Sequence, residues 1–166
     1  MHRVACGVSI GTSAGKENMH QTSPLEFGLP VIDLDRMITF YTQVFSCTEL
    51  RRAEIPPELS RKIRVSEDGY TNVWLQFPGG EVVKLVRPPV APIRAEPQEY
   101  SSNSTGIAYF TLYCDDIIDA IAAAEASGGV LISDRDLYEQ SAEGASPIKL
   151  AFLTDPEGNV FEFVER

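Results

Sequence analysis

The sequence has few cysteines and no long apolar run, and both shortages exclude classes of protein. The three cysteines, Cys6, Cys47 and Cys114, are far apart and form no C-x-x-C pair, so neither a disulfide framework nor a structural zinc site is predicted. This cysteine usage favours a reducing, cytoplasmic location. The apolar runs stay far below the roughly 18 residues of a membrane span, and no membrane partner is expected.

Basic residues are also scarce. The 166 residues include 14 Lys and Arg against 24 Asp and Glu, which gives a formal net charge of -10. Such a chain repels phosphate backbones, so no nucleic acid partner is expected. Hydrophobic residues make up 43% of the chain and charged residues 23%, which is typical of a globular protein and argues against global disorder.

Residues 1–24 are expected to form a disordered N-terminal extension. The apolar run at residues 4–10 is interrupted by Gly and Ser, and no A-x-A cleavage site follows it. These features do not fit a signal peptide. The first periodic segment begins at Leu25, so the predicted domain spans residues 25–166.

An internal repeat determines the organisation of this domain. Residues 78–87 and 156–165 align without a gap. In both stretches Pro and Gly predict a turn, and alternating apolar residues predict a strand after it. Apolar runs at residues 73–77 and 148–153 come before the turns, so each half of the domain is predicted to end in a β-hairpin.

The beginnings of the two halves repeat as well. Strands are predicted at residues 25–32 and 107–114, and each is followed by an aspartate that can cap a helix, Asp33 or Asp116. Helical spacing then selects the residues expected to face the core. These are Leu34, Met37, Ile38, Tyr41 and Phe45 in the first helix, and Ile117, Ile118, Ile121 and Ala124 in the second.

Second strands are predicted at residues 48–55 and 130–133. The chain is therefore predicted to be an α+β protein of two tandem βαβββ modules. Module 1 spans about residues 25–87, and module 2 spans about residues 106–166. Residues 88–105, which begin with closely spaced prolines and continue with serines, are predicted to be a surface linker.

Two motifs resemble a known superfamily. They are Val-Ile-Asp-Leu-Asp-Arg at residues 31–36, followed by Phe40-Tyr41, and Thr-Asp-Pro-Glu-Gly-Asn at residues 154–159. Both are similar to motifs of the vicinal oxygen chelate superfamily, which includes glyoxalase I, methylmalonyl-CoA epimerase, extradiol dioxygenases, and bleomycin and fosfomycin resistance proteins. The resemblance implies that the two modules curl into one cup-shaped, eight-stranded mixed sheet. It does not fix the function, because the superfamily hosts many chemistries on one scaffold.

In metal-using members, the cup holds a divalent ion between four ligands, typically His or Gln, Glu, His and Glu. The resemblance, mapped through the internal repeat, implies that these positions are Glu26, Lys84, Tyr109 and Glu162. Lys84 carries a positive charge, and a tyrosine is an uncommon ligand. The only histidines, at positions 2 and 20, lie in the predicted extension. We therefore expect no metal and no other cofactor.

The same four residues are predicted to be catalytic. Two carboxylates, an ammonium and a phenol in one cavity suit proton transfer next to a carbonyl or phenol group. A carboxylate would remove the proton, and Lys84 or Tyr109 would stabilise the oxyanion. If the cup is largely dry, burial raises a carboxylate pKa and the lysine lowers it, so at least one member is expected to titrate near neutral pH. A structural charge pair is the alternative interpretation.

Two further residues, Arg64 and Trp74, are predicted to bind the substrate. Arg64 belongs to a basic cluster beside the predicted cup, which suits a carboxylate or phosphate on the ligand. The alternative is a solvated basic edge on an acidic protein. Trp74 is predicted to line the cup, and the alternative is that it packs in the layer behind it. The cluster consists of Arg51, Arg52, Arg61, Lys62 and Arg64.

Three functions remain open at this point. The favoured one is an enzyme that acts on a small oxygenated, in some cases aromatic, molecule by metal-independent isomerisation, proton transfer or lyase chemistry. The second is a non-catalytic protein that binds a small molecule or confers resistance to it. The third is a metal-dependent glyoxalase, epimerase or dioxygenase with atypical ligands, which Lys84 and Tyr109 disfavour. A small molecule is the expected partner, and the chain is expected to form a homodimer.

Overall fold

The computed structural model describes residues 21–94, 100–103, 105–134, 138–140 and 148–166. Residues 1–20 of the predicted extension, and residues 95–99 and 104 of the predicted linker, lie outside the described residues. Within these limits the elements follow the predicted order, because each half begins with a strand and a helix and ends with a β-hairpin.

Module 1 contains one four-stranded mixed sheet and two helices. The elements are β1 (Glu26–Pro30), α1 (Leu34–Phe45), β2 (Thr48–Ile55), α2 (Pro57–Ile63), β3 (Tyr70–Gln76) and β4 (Val82–Arg87). The strand order is β1-β4-β3-β2, with β1 parallel to β4 and the other pairs antiparallel. The sequence did not predict the short helix α2, in which Pro57 occupies the first turn.

Module 2 repeats this arrangement. The elements are β5 (Phe110–Cys114), α3 (Ile117–Ala126), β6 (Val130–Leu131), β7 (Tyr138–Gln140), β8 (Ile148–Thr154) and β9 (Val160–Glu165). The strand order is β5-β9-β8-β6. An additional strand, β7, also pairs with β8, so the described residues contain nine strands rather than eight.

The predicted α+β class with tandem modules is confirmed. No helix among the described residues is both long and apolar enough to cross a membrane.

Both predicted helix caps are confirmed. The Asp33 carboxylate accepts a hydrogen bond from the backbone N–H of Arg36, and the Asp116 carboxylate accepts from those of Ile118 and Asp119. Each aspartate therefore satisfies backbone donors in the first turn that have no partner within the helix.

The inward orientation predicted for Ile118 is wrong. Its side chain is 60% exposed, whereas Ile117 and Ile121 are buried. Successive residues of an α-helix are about 100° apart around its axis. Ile117, Ile121 and Ala124 therefore lie within about 60° of one another. Ile118 lies about 60° beyond the edge of this buried stripe, and its side chain faces solvent.

The two modules share one hydrophobic core, which lies on the helix-bearing side of both sheets. Phe161 of β9 packs against Phe40 and Phe45 of α1 and against Phe110 of β5. All four rings belong to the buried cluster or pack directly on it. Each sheet therefore has a buried face, and an open face that the helices do not cover.

One side chain joins the modules at the beginning of α1. Glu157, in the turn between β8 and β9, accepts hydrogen bonds from the backbone N–H groups of Ile32 at 2.8 Å and Asp33 at 2.6 Å. Its equivalent in the turn between β3 and β4 is Gly79, which has no side chain. The internal repeat is therefore asymmetric at this contact.

Replacing Glu157 with alanine is expected to lower the free energy of unfolding by about 0.5 to 2 kcal/mol, the range found for the loss of a helix-capping side chain. Urea denaturation would measure the loss. The matched control is Glu58→Ala, because the Glu58 carboxylate forms an exposed ion pair with Lys62 within α2. The control should cost less than about 0.5 kcal/mol. Equal losses in the two variants would show that Glu157 does not join the modules.

Candidate functional site

Glu26 and Lys84 lie together on the open face of the first sheet. Lys84 pairs with Gly28 across β1 and β4, and Glu26 is two residues before Gly28, so both side chains are on the same face. The Glu26 Oε2 atom is 2.7 Å from Lys84 Nζ. The side chains are 43% and 32% exposed, respectively. Solvent screens such a pair, so it contributes little to stability.

The ion pair sets the protonation state of Glu26. The hydrogen bond from Lys84 is the main cause of a lowered Glu26 pKa. Partial loss of water raises this pKa, and the positive charges of Lys84 and Arg51 lower it further. The expectation that a carboxylate of this group titrates near neutral pH is therefore wrong for Glu26, which is ionised there.

Trp74 occupies the neighbouring position on the same open face. It pairs with Lys84 across β3 and β4 and with Arg51 across β2 and β3. The Arg51 guanidinium lies over the indole ring, 3.9 Å from its centroid, which is a favourable cation–π geometry. Trp74 is only 8% exposed. The sequence prediction that it binds substrate stays a prediction, but its place beside Lys84 is compatible with that role.

A β-bulge places Arg51 on this face. Glu49 pairs with Leu75 and Arg51 pairs with Trp74, so Leu50 is an extra residue in β2. A bulge shifts every following side chain to the other face of its strand. Without it, Leu50 would lie opposite Trp74, and Arg51 would lie opposite the buried Val73.

Tyr109 and Glu162 lie on the open face of the second sheet. Glu162 pairs with Thr111 across β5 and β9, and Thr111 Oγ1 donates a hydrogen bond to Glu162 Oε2 at 2.6 Å. The Tyr109 ring packs edge-on against Phe152 with centroids 5.0 Å apart. Phe152 pairs with Glu162, so the tyrosine and the glutamate belong to one side of the sheet.

The structure therefore brings the predicted residues together as two groups. Among the described residues, hydrogen bonds and ion pairs join Glu26 to Lys84 and Glu162 to Thr111, and none joins one group to the other. The convergence of all four predicted side chains in one cavity stays a prediction.

Arg64 lies at a different place from both groups. It is the C-cap residue of α2 and lines a cavity of about 320 Å³ with Arg61, Ser66 and Glu67. The connection between β2 and β3 is at the end of the sheet where Ile55 pairs with Tyr70, and Glu26 is at the other end. Binding of substrate by Arg64 stays a prediction.

The donor set does not fit a divalent metal ion. In the described part of the chain, no group of three or more His, Cys, Asp or Glu side chains is arranged to hold a metal. At one of the implied ligand positions, the ammonium of Lys84 contacts the Glu26 carboxylate directly, and a cation would have to displace it. An ammonium has no lone pair to give to a metal.

Sequence reasoning did not single out Asn72, and it named Arg51 only as a member of the basic cluster. Asn72 is two residues before Trp74 in β3, so strand alternation places it on the same open face. That spacing is the signal that could have found Asn72. For Arg51, the bulge at Leu50 removes any such signal.

Comparison with known proteins agrees with this architecture. A sequence model of the Glyoxalase/Bleomycin resistance protein/Dioxygenase superfamily matches residues 23–163. The chain belongs to this superfamily. The superfamily predicted from the two sequence motifs is thereby confirmed.

Relatives within the superfamily include plant enzymes. A lactoylglutathione lyase of Arabidopsis thaliana is 30% identical over 142 residues, which cover 81% of this chain and 41% of the relative. The superfamily member described here thus spans less than half the length of that enzyme. A glyoxalase I mutant from Zea mays has 26% identity and a TM-score of 0.62, covering 87% of this chain and 45% of its own.

A glyoxalase family protein from Bacillus cereus matches the fold over nearly its full length. The superposition has a TM-score of 0.70 at 18% identity and covers 92% of this chain and 98% of the other. At this identity the likeness concerns the fold alone. Both modules of this superfamily member therefore have structural counterparts in a chain of similar extent.

Proposed function

We propose that this superfamily member is an enzyme that transfers a proton on a small oxygenated molecule, in an isomerase- or lyase-type reaction that needs no metal ion. The observation that carries the proposal is the 2.7 Å contact between Lys84 Nζ and Glu26 Oε2 at two of the implied ligand positions. The pair places a base and a cation side by side on an open face. A base and an oxyanion-stabilising group are the minimum equipment for removing a proton next to a carbonyl.

In the proposed reaction, a carbonyl oxygen of the substrate accepts a hydrogen bond from Lys84. Glu26 then loses part of the contact that lowers its pKa, and it becomes a stronger base as the substrate binds. The carboxylate removes the proton from the adjacent carbon, and the electron pair of the C–H bond moves toward the carbonyl oxygen. The ammonium of Lys84 stabilises the negative charge that forms on that oxygen.

Tyr109 and Glu162 complete the proposed site if the open faces of the two sheets meet. The phenol of Tyr109 would donate a second hydrogen bond to the oxyanion. Glu26 would pass on the proton that it removed, and Glu162, held by Thr111, would relay that same proton to the second carbon. The Arg51 guanidinium, which covers the Trp74 ring, offers a flat cationic surface for an aromatic part of the substrate.

The names of the plant relatives suggest a first compound to test. They are called lactoylglutathione lyases, so a thioester of a hydroxy acid is a reasonable probe for this chain. The relatives are more than twice as long as the segment that matches. Activity of this chain on lactoylglutathione is therefore itself part of the proposal.

Chelation is the test that separates this proposal from a metalloenzyme. We expect that the protein exchanges or removes the proton next to the carbonyl of lactoylglutathione in D2O, and that overnight treatment with EDTA leaves the rate within twofold. Proton NMR would follow the C–H signal and the thioester together. Loss of activity with EDTA and its return with zinc, nickel or manganese would contradict the proposal. So would about one equivalent of bound metal in elemental analysis.

A variant that gains metal binding would test whether Lys84 prevents the protein from binding a divalent ion. Lys84→Glu combined with Tyr109→His would present three carboxylates and one imidazole, which is a donor set that divalent ions bind. Calorimetric titration with zinc should detect a site in the double variant and none in the unmutated protein. Equal zinc binding by both proteins would show that Lys84 does not keep metal out.

Binding without catalysis is the second candidate function, and the protonation state of Glu26 favours it. A carboxylate whose pKa is lowered by a lysine contact is a weak base until that contact is disturbed. The Arg51–Trp74 pair also forms a flat cationic surface that can retain a ligand without reacting with it. Saturable binding of lactoylglutathione without any exchange of its protons would support this function.

The homodimer and the cytoplasmic location stay predictions. Size-exclusion chromatography with light scattering would test the first, and localisation of a tagged full-length chain would test the second. Neither outcome changes the proposed chemistry on the open face of the first sheet.

A further inference from the structure

Two polar atoms on the open face of the first sheet are buried without a hydrogen-bond partner. They are Asn72 Oδ1 and Trp74 Nε1. Asn72 is 4% exposed and Trp74 is 8% exposed, so water has little access to either residue. Leaving a buried donor or acceptor unsatisfied is costly, and most such groups in folded proteins have a partner. A bound ligand would supply the missing partners for both atoms.

The unpaired atoms belong to neighbouring side chains on one face of β3 and have complementary chemistry. Residues two apart in a strand share a face and have Cα atoms about 7 Å apart. Trp74 Nε1 can only donate a hydrogen bond, and Asn72 Oδ1 can only accept one. A ligand that satisfies both must therefore carry an acceptor and a donor that together reach two neighbouring side chains of one strand.

The charges beside these two atoms add a third requirement. Arg51 lies over the Trp74 ring, and its positive charge also acts on Glu26. Among the described strand residues of this face, the cations are Arg51 and Lys84 and the carboxylate is that of Glu26, in a chain whose net charge is -10. An excess of positive charge at one place in an acidic protein favours an anionic ligand.

We propose that this face binds a small 2-hydroxy carboxylate, or a ligand that contains one. The carboxylate accepts hydrogen bonds from Trp74 Nε1 and from the guanidinium of Arg51, and the neighbouring hydroxyl donates to Asn72 Oδ1. Lys84 and Glu26 occupy the adjacent position on the face. The inference rests on the proposed function, because it names the substrate class of that same site.

Ligand binding at this face can be measured directly through Trp74. Trp74 is the only tryptophan, so its indole N–H gives a single resonance in a proton–nitrogen NMR spectrum of the full chain. Three probes share a phenyl ring and differ in one group each. Mandelate has the carboxylate and the hydroxyl, phenylacetate lacks the hydroxyl, and mandelamide lacks the negative charge.

We expect mandelate to shift the indole N–H resonance saturably, and to bind at least roughly tenfold more tightly than phenylacetate or mandelamide, because each of these leaves one group of the site unpaired. Asn72→Leu should abolish the preference for mandelate over phenylacetate. Arg51→Gln should weaken mandelate and phenylacetate alike, by about tenfold.

The matched control is Arg52→Gln. Arg52 is next to Arg51 but pairs with Val73 and bonds Glu49 on the other face of the strand, so its loss should leave mandelate affinity within twofold. Equal affinity for mandelate and mandelamide, or no saturable shift with mandelate, would overturn the substrate class. Binding is read independently of turnover. Tight mandelate binding without proton exchange on any probe would therefore support the substrate class and contradict only the proposed catalysis.

Discussion

Turnover by the Glu26→Gln variant is expected to fall by about a hundredfold to ten-thousandfold, the range for removal of a general base. Glutamine has the shape of glutamate and can still accept the hydrogen bond from Lys84, which is 2.7 Å away in the native pair. The variant therefore keeps the geometry of the site and loses only the basic carboxylate. Exchange of the carbon-bound proton of lactoylglutathione in D2O would measure the effect.

The effect should appear in kcat and leave KM nearly unchanged, because Glu26 acts in the proton-transfer step. Glu54→Gln is a suitable control. Glu54 belongs to the same sheet, and its carboxylate accepts a hydrogen bond from Thr71, which glutamine can also accept. Retention of full turnover in Glu26→Gln would remove the glutamate from the mechanism and leave the binding function as the better description.

Truncation of Phe161 to alanine is expected to lower the free energy of unfolding by about 3 to 5 kcal/mol, the range for deletion of a fully buried aromatic ring. Phe161 has no exposed surface, and it contacts rings from α1, β5 and β9. The loss is a large part of the stability of an ordinary domain. Phe161 is one of several rings through which the two modules pack together. Urea denaturation followed by circular dichroism would measure the loss.

Two further variants make this prediction specific. Phe161→Leu keeps most of the volume and should cost less than about 2 kcal/mol, so it remains measurable even if the alanine variant does not fold. Phe152→Ala, in the neighbouring strand, removes a half-buried ring whose described ring contact is with Tyr109. If Phe152→Ala costs as much as Phe161→Ala, the shared aromatic core is not the main connection between the modules.

The modular fold could be predicted because the sequence signals for each repeated element occur once in each module. The aligned turns contain glycine at equivalent positions, and both Gly80 and Gly158 adopt the left-handed φ values, 105° and 93°, that such turns require. Asp33 and Asp116 likewise cap both helices. Features present in one module only, such as α2 in module 1, have no second copy to support their prediction.

The face that a residue occupies could be predicted where strand alternation alone decides it. Lys84 and Glu26 are in regular strands, and the expected proximity of the two residues is present. Arg51 depends on the bulge at Leu50, and a bulge breaks the alternation that sequence reasoning assumes. The dryness of the cup could not be predicted either, since exposure depends on how the rest of the chain covers a face.

The contact between Glu157 and the beginning of α1 comes from a side chain of module 2 alone. The two modules therefore contribute unequally to the junction between them. A chain made of two copies of module 2 would carry the glutamate at both junctions, and a chain made of two copies of module 1 would have glycine at both. The modules are therefore not interchangeable, because exchanging their order would move this contact from α1 to the other end of the domain.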